Sequence, residues 1–170
     1  MRGMSRVRRK SRVAAYAVCV REGHVLLARS PGLDGSPEWV LPGGGVEHGE
    51  DPCDTVVREL AEETGYRVEV TALLGVHSSH RLFRRDGLRR RVDHHGLRLV
   101  YESRVTGGEL RFEENGSTDM AAWHDLDAVP GLRRARMVEV GLRLWRERPP
   151  TGRVFVPVRD DGDVPVRDDG

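Results

Sequence analysis

The run Gly44-Gly-Val-Glu-His-Gly-Glu50-Asp51-Pro52-Cys-Asp54-Thr-Val-Val-Arg58-Glu59-Leu60-Ala-Glu62-Glu63-Thr-Gly65-Tyr66 joins a glycine-rich loop to a helix whose two ends are written in its residues. Asp51 is an N-cap residue, Pro52 suits the first helical position, Asp54 sets negative charge near the N-terminal dipole, and Gly65 supplies a left-handed C-cap. The predicted helix spans 52–64. Val56, Val57, Leu60, Ala61 and Thr64 recur at three- and four-residue spacing and form its expected core face, while Glu59, Glu62 and Glu63 gather on another side.

Working outward, residues 13–20 (VAAYAVCV) read as a buried strand, Arg21-Glu22-Gly23 as a turn and residues 24–28 (HVLLA) as the hairpin partner. Residues 30–38 hold Pro31, Gly32, Gly35 and Pro37, which is loop chemistry. Residues 39–42 are briefly extended before Gly43-Gly44-Gly45. Strands are predicted over 67–76 and 96–105 with a polar loop between them, a short strand over 120–124, and a closing amphipathic helix over 132–145.

At 170 residues with 38% hydrophobic and 32% charged content, the chain predicts one soluble globular domain over 12–148. It is flanked by a basic N-terminal tail, 1–11, and a disordered C-terminal tail, 149–170, carrying a two-copy VPVRDDG repeat. No apolar run approaches the ~20 residues of a membrane span, and no cleavage-site pattern follows the basic N-terminus, so a cytoplasmic location is expected. Cys19 and Cys53 show no CxxC spacing and read as reduced thiols. A net charge of +1 gives no global field for nucleic acid.

Three carboxylates at i, i+3 and i+4 repel one another by about a few tenths of a kcal/mol per pair. Arg58 offsets part of this, and a hard divalent cation, which prefers oxygen ligands, offsets it better. A Glu-rich helix face is ordinarily just solvated. What outweighs that reading is the pattern around it. Gly44-x5-Glu50-x7-Arg58-Glu59-Leu60-x-Glu62-Glu63-x-Gly65-Tyr66 resembles the signature of the Nudix hydrolase family at every fixed position, with Tyr66 a looser choice for the final apolar residue. The preceding Trp39-Val-Leu-Pro-Gly-Gly-Gly45 is similar to the family's usual approach to this box.

The resemblance implies an α/β/α sandwich with a mixed β-sheet. It also implies a hydrolase that cleaves a diphosphate linkage in a nucleoside diphosphate-X or nucleoside triphosphate by water attack at phosphorus. Mg2+, or Mn2+, would be the cofactor. Glu62 and Glu63 would be principal metal ligands, Glu59 a further ligand or the group that orients water, and Glu50 a supporting carboxylate, with a backbone oxygen from Gly43 or Gly44. Arg58 would hold the glutamates in place. Glu59 is the first choice of general base. Glu113, Glu114 and Asp119 precede Trp123, and either Glu114 or Asp119 could complete the site. A homodimer is a further expectation by analogy with relatives. A non-catalytic nucleotide sensor is the alternative, although such proteins tend to have eroded boxes. An isoprenoid diphosphate isomerase would want a cysteine and a glutamate outside the box that the sequence does not single out.

Substrate-selecting residues lie elsewhere. His77, His80, His94 and His95 flank Arg81, Arg84, Arg85, Arg89, Arg90 and Arg91. This segment reads first as a solvated loop, next as an arginine-lined phosphate entrance through residues such as Arg81 and Arg91, and last as a zinc cluster. Phe83 is its only stacking aromatic, so no stable nucleic-acid partner is expected. Trp39, Trp123 and Tyr16 could stack a base, with core packing the more ordinary role for each.

Overall fold

The computed structural model describes residues 7–32, 34–84, 91–111 and 120–157, the side chains of 83, 84 and 91 excepted. Helix α1 spans Pro52–Thr64 as its caps predict: the Asp51 side chain accepts the Cys53 N–H at 2.8 Å, and Gly65 (φ 75°) donates its N–H to the Ala61 carbonyl. Its buried face is Thr55, Val56, Leu60, Glu63 and Thr64. Val57 and Ala61 are exposed and Glu63 is buried, so the buried stripe is rotated from the one expected. A buried carboxyl needs a donor, and Glu63 has one in the Gly43 N–H at 2.9 Å.

The first predicted strand is split. β1, Arg8–Val18, lies in a mixed sheet between β5 (Gly43–Gly45) and β7 (Arg91–Gly108), with β6 (Tyr66–Arg84) beyond β7. After Cys19 the chain enters β2, Val20–Arg21, which belongs to a second sheet with β3 (His24–Pro31), β4 (Pro37–Val40) and β8 (Met120–Asp125). The expected turn at Glu22-Gly23 closes β2 onto β3, both residues taking positive φ. β5, Gly43–Gly45, pairs antiparallel with β1, setting Gly45 beside Ala14. β1 runs parallel to β7, Arg91–Gly108, over eleven residue pairs.

Side-chain alternation along β1 places the helices. Ala15, Ala17 and Cys19 enter the core beneath α1 with Val56, Leu60, Val68 and Tyr101. Tyr16 and Val18 face the other way, toward the core of α2 (Arg136–Glu147) with Leu41, Val100, Val138 and Leu144. The architecture is therefore the expected α/β/α sandwich with a mixed sheet.

Several boundaries move for non-local reasons. The expected polar loop is mostly strand. β6 runs from Tyr66 to Arg84 and pairs with β7 down to Arg84↔Arg91, so His77, His80, Arg81, His94 and His95 lie on a long hairpin. Its polar sequence hides the period-two signal, but pairing of β7 to β1 as far as Arg8 satisfies its backbone groups. The same pairing takes residues 8–11 out of the supposed N-terminal tail. α2 begins at Arg136 rather than 132, because a 3-10 turn over Val129–Gly131 precedes it and Trp39 exchanges main-chain bonds with Arg133 and Ala135. At the other end, residues 149–157 lie against the domain, with Val156 buried. Of the repeat only Val156 and Pro157 are described; the rest of it, from 158, is outside the described residues.

The rotated face of α1 gives a test. Leu60→Ala should cost about 2–5 kcal/mol in denaturant unfolding, whereas Val57→Ala should cost under about 1 kcal/mol. Equal losses would place Val57 in the core.

Candidate metal and phosphate site

Three box carboxyls, Glu50, Glu59 and Glu62, meet one guanidinium where the β5 loop abuts α1. Arg58 donates from Nε to Glu50 Oε1 at 2.8 Å and from Nη2 to Glu50 Oε2 at 2.9 Å, a two-pronged grip that fits the planar fork. Its Nη1 donates to Glu59 Oε1 at 3.0 Å and stands 3.6 Å from Glu62 Oε2, and Nη2 also reaches the Gly45 carbonyl at 3.4 Å. One side chain thus links loop, helix and three of the four acids.

Glu50 is fully engaged. Besides Arg58, its Oε2 accepts the Thr55 hydroxyl at 2.7 Å and the Glu47 N–H at 3.0 Å. The Arg58 hydrogen bonds foremost, then those from Glu47 and Thr55, lower its carboxyl to about 2. Reciprocally, Glu50 and Glu59 raise the Arg58 guanidinium above its already high range. Thr55 was not singled out in the sequence, although its place in the first turn, five residues after Glu50, is a usable signal.

Glu59 lies against Gly44, where a Cβ would stand 2.4 Å from its Oε1; any side chain at 44 would displace the carboxylate. Glu63 is held through the Gly43 N–H, and Glu62, with its side chain about half exposed, extends toward solvent. Two glutamates are therefore seated against β5 backbone and a third is accessible. This all-oxygen set suits a hard divalent cation in its chemistry. Among the described residues, no three His, Cys, Asp or Glu side chains are already closed around a common point. Glu113, Glu114 and Asp119 lie outside the described residues.

The other predicted residues scatter. Trp39 is partly buried at the edge of the α2-side core, its ring 4.1 Å from His124 in an edge-to-face contact. Burial lowers the His124 pKa. Trp123 donates to the Tyr66 hydroxyl at 3.1 Å and carries the Arg21 guanidinium 4.5 Å over its ring. Tyr16 packs on the α2-side core. Arg81 pairs across the hairpin with His94, level with Lys10 rather than with the glycine loop, and only the backbone of Arg91 is described. His80 contacts Asp93, and His95 contacts Ser78 at 2.8 Å. Arg12 reads in the sequence only as one of the basic residues near the N-terminus, yet its Nη2 stands 2.9 Å from where a Gly45 Cβ would be, a proximity created by the β1–β5 pairing.

Known proteins resemble this chain in sequence and in fold. The NUDIX domain family matches residues 8–144. The chain is 33% identical over 120 residues to an ADP-ribose pyrophosphatase of Methanocaldococcus jannaschii, covering 71% of this chain and 65% of that one. It is 37% identical over 119 residues to the NAD-capped RNA hydrolase NudC of Chromobacterium violaceum, covering 69% and 40%. The matched stretch spans less than two thirds of either curated protein. The structure resembles a MutT NUDIX hydrolase of Burkholderia pseudomallei at a TM-score of 0.56 and 31% identity, covering 69% of this chain and 85% of that one. A NUDIX hydrolase of Nitrosomonas europaea shares the fold at a TM-score of 0.67 and 20% identity, over 90% and 100% of the two chains. With the family match running from β1 into α2 and the glycine loop and glutamate helix at its centre, the chain belongs to the Nudix family.

Proposed function

We propose that this protein is a divalent-metal-dependent hydrolase that cleaves the diphosphate linkage of a nucleoside diphosphate-X or nucleoside triphosphate, with water attacking phosphorus. The observation that carries this reading is the seating of Glu59 and Glu63 against a glycine backbone while Arg58 holds Glu59 from the other side. Family membership supports the reaction class.

Glu62, Glu63 and Glu59 would hold the cation, Mg2+ or Mn2+, with a backbone oxygen of Gly43 and a later acid such as Asp119 as further donors. When bound, the metal supplies charge withdrawal at phosphorus and a more acidic water. Glu59 is the candidate base, oriented by its bond to Arg58. Glu50 was a candidate ligand. Its oxygens are occupied by Arg58, Thr55 and Glu47, so its role in this reading is to fix the Arg58 guanidinium, and Arg58 in turn fixes Glu59. Among the described residues no helix is long and apolar enough to cross a membrane, and a cytoplasmic enzyme acting on small nucleotide-like substrates is the matching proposal.

Three outcomes are expected. Release of phosphate or pyrophosphate should be measured over nucleoside triphosphates, ADP-ribose, nucleotide sugars and dinucleoside polyphosphates. It should vanish with EDTA, return with Mg2+ or Mn2+, and fall by at least about 100-fold in Glu62→Gln, a loss on the scale of a key electrostatic group. An undiminished Glu62→Gln would end the catalytic reading.

Glu50 makes a pH prediction. Its folded pKa of about 2 lies below the ordinary 4.5, so its contribution to stability is complete above about pH 4.5 and is lost as pH falls toward 2. The stability difference between wild type and Glu50→Gln, followed by acid unfolding, should shrink across that window and stay flat above it. A difference that changes between pH 6 and 8 would contradict the assignment.

A further inference from the structure

The acidic stripe of α1 begins one turn before its first charged member. Thr55, Arg58, Glu59 and Glu62 are spaced i, i+3, i+4 and i+7, so they lie along one side of the helix. Thr55 is fully buried at the foot of this stripe, and the Glu62 side chain is about half exposed at its other end. A buried hydroxyl needs an acceptor. Thr55 has two within reach, Glu50 Oε2 at 2.7 Å and the Asp51 carbonyl, four residues back, at 3.3 Å. The hydroxyl carries one proton, and the carboxylate, charged and closer, holds it.

The pair occupies a defined place at the helix entry. With Asp51 as N-cap, Glu50 is the residue before the cap and Thr55 the fourth residue of the helix. An apolar pair at these two positions often staples the incoming chain to the first turn. Here the staple is a hydrogen bond, and it sets the Glu50 carboxylate as well as the angle of the chain.

Three donors converge on Glu50 Oε2: the Thr55 hydroxyl, Arg58 Nη2 at 2.9 Å and the Glu47 N–H at 3.0 Å. They differ in how firmly they are placed. Glu47 is exposed on its loop and the Arg58 side chain is 29% exposed, whereas Thr55 is 0% exposed in the packed face of α1. Thr55 is therefore the fixed point from which the other two take their place. From Glu50 the bonds run into the Arg58 fork at Nε and Nη2, and out of it from Nη1 to Glu59 Oε1 at 3.0 Å. Because the guanidinium is planar and rigid, a tilt at its Glu50 end is passed to its Glu59 end.

We propose that Thr55 is a positioning residue of the acidic site, its hydroxyl setting Glu50, Glu50 setting the plane of the Arg58 guanidinium, and Arg58 setting Glu59. The proposal rests on the hydrolase reading for the reaction in which Glu59 takes part. Thr55 falls in the x7 stretch between Glu50 and Arg58, so the box pattern gives it no role. Without its hydroxyl Glu50 keeps the Arg58 fork and the Glu47 N–H, and neither carboxylate oxygen is orphaned. What is lost is the tether to the helix, and reacting groups misplaced by about 1 Å can lose about 100-fold in rate.

Two substitutions separate the hydroxyl from the methyl group. Thr55→Val keeps the shape and removes the donor, whereas Thr55→Ser keeps the donor. Turnover is measured with Mg2+ on whichever nucleoside triphosphate, ADP-ribose, nucleotide sugar or dinucleoside polyphosphate the wild type cleaves fastest. Thr55→Val should lower kcat by roughly 10- to 100-fold with KM within about twofold, and Thr55→Ser should restore at least about half of the wild-type kcat. Thr55→Val should melt within about 4 °C of wild type, the scale of one net hydrogen bond in a chain of this size. A second readout needs no turnover. Hydrogen exchange of the Arg58 Nε–H, followed by 15N NMR, should quicken by at least about fivefold in Thr55→Val and stay near wild type in Thr55→Ser. A merely structural role would move melting and leave both readouts unchanged. Wild-type kcat in Thr55→Val, or a loss in Thr55→Ser as large as in Thr55→Val, would overturn the proposal. Exchange that responds as stated, in a protein that cleaves none of these compounds, would retain the chain from Thr55 to Arg58 and remove the hydrolase reading.

Discussion

The two-pronged bond from Arg58 to Glu50 is the contact on which the acidic site depends. α1 and the loop before it bring four carboxyls together, and their mutual repulsion is offset by a fixed cation among them. Arg58 reaches Glu50 on the loop, Glu59 on its own helix and the Gly45 carbonyl on β5. Glu50 is locked in turn by Thr55 and the Glu47 N–H. The result is a preorganised arrangement in which hydrogen bonds set Glu50, Glu59 and Glu63, while Glu62 stays half exposed 3.6 Å from Arg58.

That constellation requires β5 to lie where it does. β5 is three glycines long and is held by β1, whose residues Ala14, Ala15 and Tyr16 pair with it, and by the bonds of Gly43 to Glu63 and of Arg58 to Gly45. Close approach excludes side chains on β5: at Gly44 a Cβ would strike the Glu59 carboxylate, and at Gly43 one would stand 2.2 Å from the Ala15 carbonyl. β1 is itself held from the other side by eleven residues of parallel pairing with β7. The long hairpin of β6 and β7 therefore does more than extend the sheet. It anchors the strand that anchors the glycine loop.

The same β1 reaches beyond the acidic site. Its inner half supports the acidic site and its outer half, from Arg8 to Arg12, carries cations away from it. The strap after α2, residues 149–157, lies at the far end, its Val156 and Phe155 carbonyls accepting from Arg136 and Arg143, the latter also paired with Glu147.

Helix α1, its caps and the identity of its acids were legible in the sequence, because capping and helical periodicity are local and each signal falls within a few residues of its effect. Box spacing was legible for the same reason. Three things required the tertiary structure. The burial of Glu63 depends on an N–H twenty residues away, and the occupation of Glu50 by Arg58 depends on how the loop folds against the helix. The strand character of residues 77–84 and 91–95 depends on a neighbour, since a polar strand has no periodic signature and gains its stability from backbone pairing to a distant β1. The return of Val154 and Val156 to the α2-side core depends on a glycine contact between residues 75 and 152, a meeting that local sequence does not encode.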